Sequence, residues 1–221
     1  MNLIIESINV GLPAEIEYRG RAVPSGIGKQ PVSGPVKLTA VQLEGDGQAD
    51  LIHHGGADKA ICAYFYDHYP YWESVMNKTL TPGAFGENFT LLGATERDVR
   101  IGDIFRTGSV RIQVSQPRVP CFKLSAKHSR PTLEEEVKSS GFTGFYFRVL
   151  TPGVVTKGDV LVLETPHPMG VTIQEANRVR HQDKDDLEAL KRLLAVDALA
   201  DSWRKDLSKR LQGLHRSRPD Q

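Results

Sequence analysis

Up to about residue 170, apolar and polar positions alternate in short runs bounded by glycine, proline and asparagine, a period that predicts strands. Residues 3–10 mix β-branched and polar side chains and read as a first strand; 15–18 alternate and are closed by Arg19-Gly20. Residues 36–43, 89–92, 145–150 and 160–163 read as further strands, and 104–106 with 109–115 as a hairpin about Thr107-Gly108. One stretch shows the other period. Ala57, Ala60, Ile61, Tyr64, Phe65 and His68 recur at i, i+3, i+4 spacing and predict a helix, which Pro70 breaks or restarts before Tyr71-Trp72. A short helix is expected at 131–139, with Pro131 in its first turn and Gly141 at its end. After the proline- and glycine-bearing segment 165–170 no strand pattern survives. Residues 173–180, 185–194 and 199–211 read as three amphipathic helices, with Thr172 and Asp185 as caps. The contrast predicts a β-rich domain over 1–170 and a small all-α domain over 171–221.

Composition narrows the picture by exclusion. The chain has 221 residues, 39% hydrophobic and 25% charged, with a formal net charge of +1. No global field draws it to nucleic acid or an anionic membrane, and anion binding must come from local clusters. The arginines of the last helices interleave with acidic residues and read as solvated faces. Two cysteines are too few for a disulfide framework and fit a reducing compartment. The first residues lack a basic region, and no apolar run is long enough to span a membrane, so the cytoplasm is the expected location.

Candidate chemistry gathers at Gln116-Pro117-Arg118-Val119-Pro120-Cys121-Phe122-Lys123. Two prolines stiffen the backbone, block strand pairing and predict a rigid loop. Cys121 sits between Arg118 and Lys123, and positive charge favours the thiolate that attacks electrophiles or binds soft metals; the plainer alternative is a buried cysteine that packs. His53-His54-Gly55-Gly56 precedes the expected helix at 57, where unpaired N–H groups attract anions and the histidines add donors or protons. A glycine turn with one packed and one exposed histidine accounts for it equally. Glu87 and Asn88 either line a site or bind the backbone of their own turn. Arg148, among apolar neighbours in a strand, is either paired or aimed into a pocket. Lys29, in a glycine-bracketed loop without P-loop spacing, is by itself a solvated charge.

Taken in order, Gly26-Ile27-Gly28-Lys29-Gln30-Pro31-Val32, Gly45-Asp46-Gly47-Gln48-Ala49-Asp50, His54-Gly55-Gly56, Gly86-Glu87-Asn88-Phe89, Gln116-Pro117-Arg118 with Pro120-Cys121, and Trp203-Arg204 resemble the MOSC family. That family is named for the carboxy-terminal domain of molybdenum-cofactor sulfurase, and the likeness is to its YiiM-like, hydroxylaminopurine-resistance branch. The resemblance spans nearly the whole chain. It implies a mainly β, barrel-like domain with a three-helix appendage. It also implies that Cys121 ligates molybdenum held on a pyranopterin, with Lys29, His53, Gly55, Gly56, Asn88, Arg118 and Arg148 as candidates to bind that anionic cofactor and His54 as the candidate proton donor.

The implied activity is reduction of N-hydroxylated compounds, such as hydroxylaminopurine-type base analogues, to amines. Electrons must come from outside. Two cysteines cannot hold an all-cysteine iron–sulfur cluster, and no glycine-rich dinucleotide fingerprint is present, so a separate flavin or iron–sulfur reductase is the expected partner. Two other classes compete: a carrier of the cofactor or of a persulfide without turnover, and a cysteine hydrolase using His53, His54 or His128 as base.

Overall fold

The computed structural model describes residues 1–50 and 55–217. Twelve strands and six helices are built, in chain order, from β1 (Asn2–Val10), β2 (Ala14–Tyr18), β3 (Arg21–Ser25), β4 (Gln30–Pro31), β5 (Val36–Leu38), β6 (Ile61–Phe65), α1 (Tyr69–Met76), β7 (Phe89–Leu92), β8 (Ile104–Thr107), β9 (Val110–Pro117), α2 (Phe122–Lys127), α3 (Leu133–Ser140), β10 (Phe145–Thr151), β11 (Gly153–Val155), β12 (Val160–Thr165), α4 (Ile173–His181), α5 (Leu187–Leu194) and α6 (Asp201–Ser217). Seven strands close a barrel in the order β1-β12-β8-β9-β10-β6-β7, because β1 pairs with both β12 and β7. All its ladders are antiparallel except β6–β7. Alternation puts Leu3 and Ile5 inside and leaves Ile4 at 42% exposure outside.

The expected helix at 57–68 is corrected. Two three-residue 3-10 turns, Ala57–Lys59 and Tyr66–His68, are helical there, and between them the chain runs as β6. The periodic reading failed because every residue of β6 is buried, so no polar face marks the alternation. Ile61, Ala63 and Phe65 face the barrel core, whereas Tyr64 joins a second apolar cluster outside the barrel with Trp72, Phe85, Leu124, Leu133 and Val137. Pro70 does restart a helix, in the first turn of α1. The strand expected at 36–43 stops at Leu38, since Thr39 turns the chain by accepting from Gln42 N and donating to Gln42 O. Gln116 and Pro117, expected in a loop, are the last residues of β9, paired with Tyr146 and Phe145; the rigid segment begins at Arg118.

After β12 the chain forms α4–α6. Thr172 caps α4 by accepting from Glu175 N, and Asp186, not Asp185, caps α5 by accepting from Ala189 N. Val171, Ile173, Val179, Leu190, Trp203 and Leu207 belong to the same apolar cluster as the barrel interior. Ala200 N donates to Ser115 O at 3.0 Å, and Ile101 N to Val171 O at 2.9 Å, so the helices are stitched to β9 and to the 99–101 segment.

The loop between α1 and β7 folds around one carboxylate. Glu87 is fully buried and accepts from Tyr69 Oη (2.5 Å), Gly83 N (2.8 Å), Phe85 N (3.0 Å) and Thr90 Oγ1 (2.8 Å). Of the two roles open to it, it serves its own turn. Glu87→Ala strands four buried donors and is expected to cost about 3 kcal/mol or more in urea unfolding.

Acid should weaken the helical region. Burial, with Arg180 and Lys138 nearby, lowers His181 from 6.5 to about 4. Between those values the unfolded chain binds the proton and the folded one does not, so stability is full above pH 6.5 and falls as pH drops toward 4. His181→Gln is expected to flatten that slope in unfolding titrations.

Candidate functional site

At one end of the barrel three glycine-bearing loops, the end of β9 and the start of α2 line a cleft that opens to solvent, with about 610 Å³ of non-atom space when that open solvent is included. Its walls include Ile27 and Lys29, Gly47 to Asp50, Gly86 and Asn88, and Arg118, Val119 and Cys121; Cys62 and Tyr146 also line it. Glycine is required where two of the loops touch. A Cβ on Gly26 would lie 2.3 Å from Gly47 O, so any side chain there would push the walls apart.

Cys121 occupies the N-cap position of α2 in extended backbone (φ −131°), and it is partly exposed. Arg118 comes from the rigid segment just before it, with its backbone N–H bonded to Gly144 O at 3.1 Å. The Arg118 side chain is buried, and Nη1 has no hydrogen-bond partner among the described residues. Burial works against its charge, but the acidic groups around it, the Glu87 carboxylate among them, hold the guanidinium above its ordinary range. A buried guanidinium with one donor unspent, beside an accessible thiol, is an anion-binding arrangement.

Of the other residues expected at the site, Lys29 and Asn88 line the cleft, but both are already engaged. Lys29 Nζ is ion-paired with the fully buried carboxylate of Asp46. Asp46 also accepts from Gly11 N (3.0 Å) and Asn88 Nδ2 (2.9 Å), and Asn88 Oδ1 accepts from Cys62 N (3.0 Å). Arg148 lies elsewhere, a correction to its place among the cofactor-binding candidates. It donates to Asp58 Oδ1 (2.9 Å), Gln113 Oε1 (3.1 Å) and Ala198 O (2.9 Å), tying β10 to the helices. Gly55 and Gly56 do not line the cleft, and the helix start expected after them is only the 3-10 turn. His53 and His54 lie outside the described residues. His128 spends Nε2 on Ala84 O (2.8 Å) and Nδ1 on Lys78 Nζ (2.9 Å), which removes it as a base for Cys121.

Sequence reasoning missed Cys62 and Tyr146. They are register partners on β6 and β10, and misreading β6 as helix hid that they face one cleft. Burial pushes both the Cys62 thiol and the Tyr146 phenol up; Arg118 pulls each partly back. Cys62 is thus held as a protonated thiol, and Cys121 is the more accessible of the two. Lys59 and Lys123 add cations to the lining, with Asp50 opposing them. Among the described residues, no three His, Cys, Asp or Glu side chains gather into a metal cage. No described helix is long and apolar enough to cross a membrane.

A closed seven-stranded barrel followed by three helices is also the order in which two family models match the chain. The MOSC domain model matches residues 50–162, and that of the YiiM-like, 3-alpha helix domain matches 171–214. The chain belongs to the MOSC family, with the YiiM-like helical domain appended. It is 45% identical over 204 residues to the uncharacterized protein YflK of Bacillus subtilis, covering 92% of each. The crystal structure of YiiM from Geobacillus stearothermophilus superposes with a TM-score of 0.82 at 42% identity, over 95% of this chain and 99% of that one. A protein of Gibberella moniliformis named a reductase is 35% identical over 189 residues, which are 82% of this chain and 34% of that protein.

The Asp46 pair has a testable cost. Lys29→Met leaves a carboxylate buried without its cation and is expected to destabilise by about 3–5 kcal/mol in urea unfolding. Adding Asp46→Asn to that variant should recover a substantial part of the loss.

Proposed function

We propose that the chain holds a molybdenum–pyranopterin cofactor in this cleft and reduces N-hydroxylated compounds, such as hydroxylaminopurine-type bases, to the amine and water. The observation that carries the reading is the pairing of the accessible Cys121 thiol with the unspent Arg118 Nη1 donor in one cleft. That donor set fits the group: a soft sulfur ligand for the metal and a buried cation for an anionic oxygen. Membership of the MOSC family supports the cofactor class, and the relative named a reductase supports the direction of the chemistry.

When bound, the cofactor supplies the two-electron redox chemistry. The chain's own residues bind and orient. Cys121 Sγ would be the metal ligand, held at the head of α2 by the rigid segment before it. Arg118, with its unspent Nη1, would be the group that binds an anionic oxygen of the cofactor. Lys59 and Lys123 add positive charge to the lining, while Asp46 neutralises Lys29 and keeps its charge out of the balance. His54 is the proposed donor of a proton to the departing hydroxyl. The conversion consumes two electrons and two protons per N–O bond cleaved, and the electrons come from a separate flavin or iron–sulfur reductase.

Molybdenum and pterin content after expression in cells competent for cofactor synthesis tests the reading. Roughly one molybdenum per chain is expected in the wild type, and it should be lost in a folded Cys121→Ala protein. Equal metal in both would remove Cys121 as the ligand. No metal in either, with cofactor supply confirmed, would overturn the reading in favour of a persulfide carrier.

A further inference from the structure

The end of α2 remote from Cys121 meets the cleft walls from behind. Lys127 Nζ donates to Ile27 O at 3.1 Å and to Gly83 O at 2.6 Å. Next to it, His128 Nε2 bonds Ala84 O at 2.8 Å. These carbonyls belong to two separate loops, and both loops reach the cleft: Ile27 and Lys29 line it from one, Gly86 and Asn88 from the other. The loops meet where Lys127 binds them, since a Cβ on Gly83 would lie 2.9 Å from Lys29 O. One short helix therefore carries the cleft's accessible thiol at its first end and grips two of the opposing walls with its last.

Lys127 is poorly explained by stability alone. Its bonded partners are neutral carbonyls, and no carboxylate is hydrogen-bonded to it. Burial, only partly offset by Glu87 and reinforced by Arg118, Lys29 and Lys78, lowers it to about 8. An apolar side chain would avoid that desolvation. What the lysine adds is geometry. Whether charged or neutral, its amine has at least two N–H donors for the two carbonyls.

We propose that Lys127, aided by His128, is a positioning latch that sets Cys121 relative to the walls formed by the Ile27 and Gly83–Asn88 loops. It acts through α2 and does not touch whatever Cys121 binds. The proposal rests on Cys121 being the working group of the cleft, but its test needs no cofactor.

The measurement is the rate of iodoacetamide alkylation of Cys121 in the cofactor-free full chain at neutral pH. Peptide mass spectrometry reads Cys62 as an internal reference. Lys127→Met has similar length and no N–H, and is expected to change the Cys121 rate severalfold with Cys62 unmoved. Faster amide exchange in the 27–29 and 83–86 segments should accompany it. Lys127→Arg keeps the donors and should restore the wild-type rate. An unchanged Cys121 rate in folded Lys127→Met, or equal acceleration of both thiols, would overturn the latch. If Lys127→Met does not fold, Lys127→Leu, which also lacks an N–H, is judged by the same two criteria. Molybdenum absent from the wild type would sink the cofactor reading and leave this result standing.

Discussion

Asp46 is a carboxylate without access to water, and the candidate site is organised around satisfying it. Its partners come from Lys29, Gly11 and Asn88, four segments in all with its own. A buried charge tolerates little displacement of the groups that neutralise it, so loops that would otherwise move independently are held to one geometry. Asn88 extends the hold into the sheet, bonding Cys62 N through its side chain and Cys62 O through its backbone. The cleft floor and walls are thus parts of one polar network whose most demanding member is hidden beneath them.

This organisation explains which cations are available. From the sequence Lys29, Arg118 and Arg148 are equal candidates for a cation that binds an anion, Lys29 and Arg118 beside glycines or prolines and Arg148 among apolar neighbours. In the fold, Lys29 is neutralised by Asp46 and Arg148 by Asp58, and of these three Arg118 is the one whose buried Nη1 has no partner among the described residues. Charge type is readable from sequence, but engagement depends on partners tens of residues away. Asp46 and Lys29 are 17 apart, and Arg148 and Asp58 are 90 apart.

Strands with one wet face, such as β1 and β12, were legible because their alternation survives in the sequence. The three terminal helices were legible for the same reason at the helical period, and Thr172 announced its own cap. β6 was not, because it lies between two apolar clusters and carries no polar positions to show its period. That one error concealed part of the site, since Cys62 and Tyr146 are placed by the β6–β10 register. Local signals singled out Cys121 as a candidate (prolines that stiffen, cations that flank and a following helix), and the family resemblance supplied its expected role.

The closure of the barrel also carries a temporal consequence. The seam that completes it pairs Asn2 with Val162 and Leu3 with Leu161, so the first strand has no final neighbour on that side until nearly three-quarters of the chain exists. During synthesis β1 can meet β7 early, but its other edge stays open while the intervening strands emerge. Such long-range pairing makes for slow folding. The amino-terminal strand is therefore the stretch most exposed to wrong pairing in a nascent or heat-stressed cell, and the one where a chaperone would have most to protect.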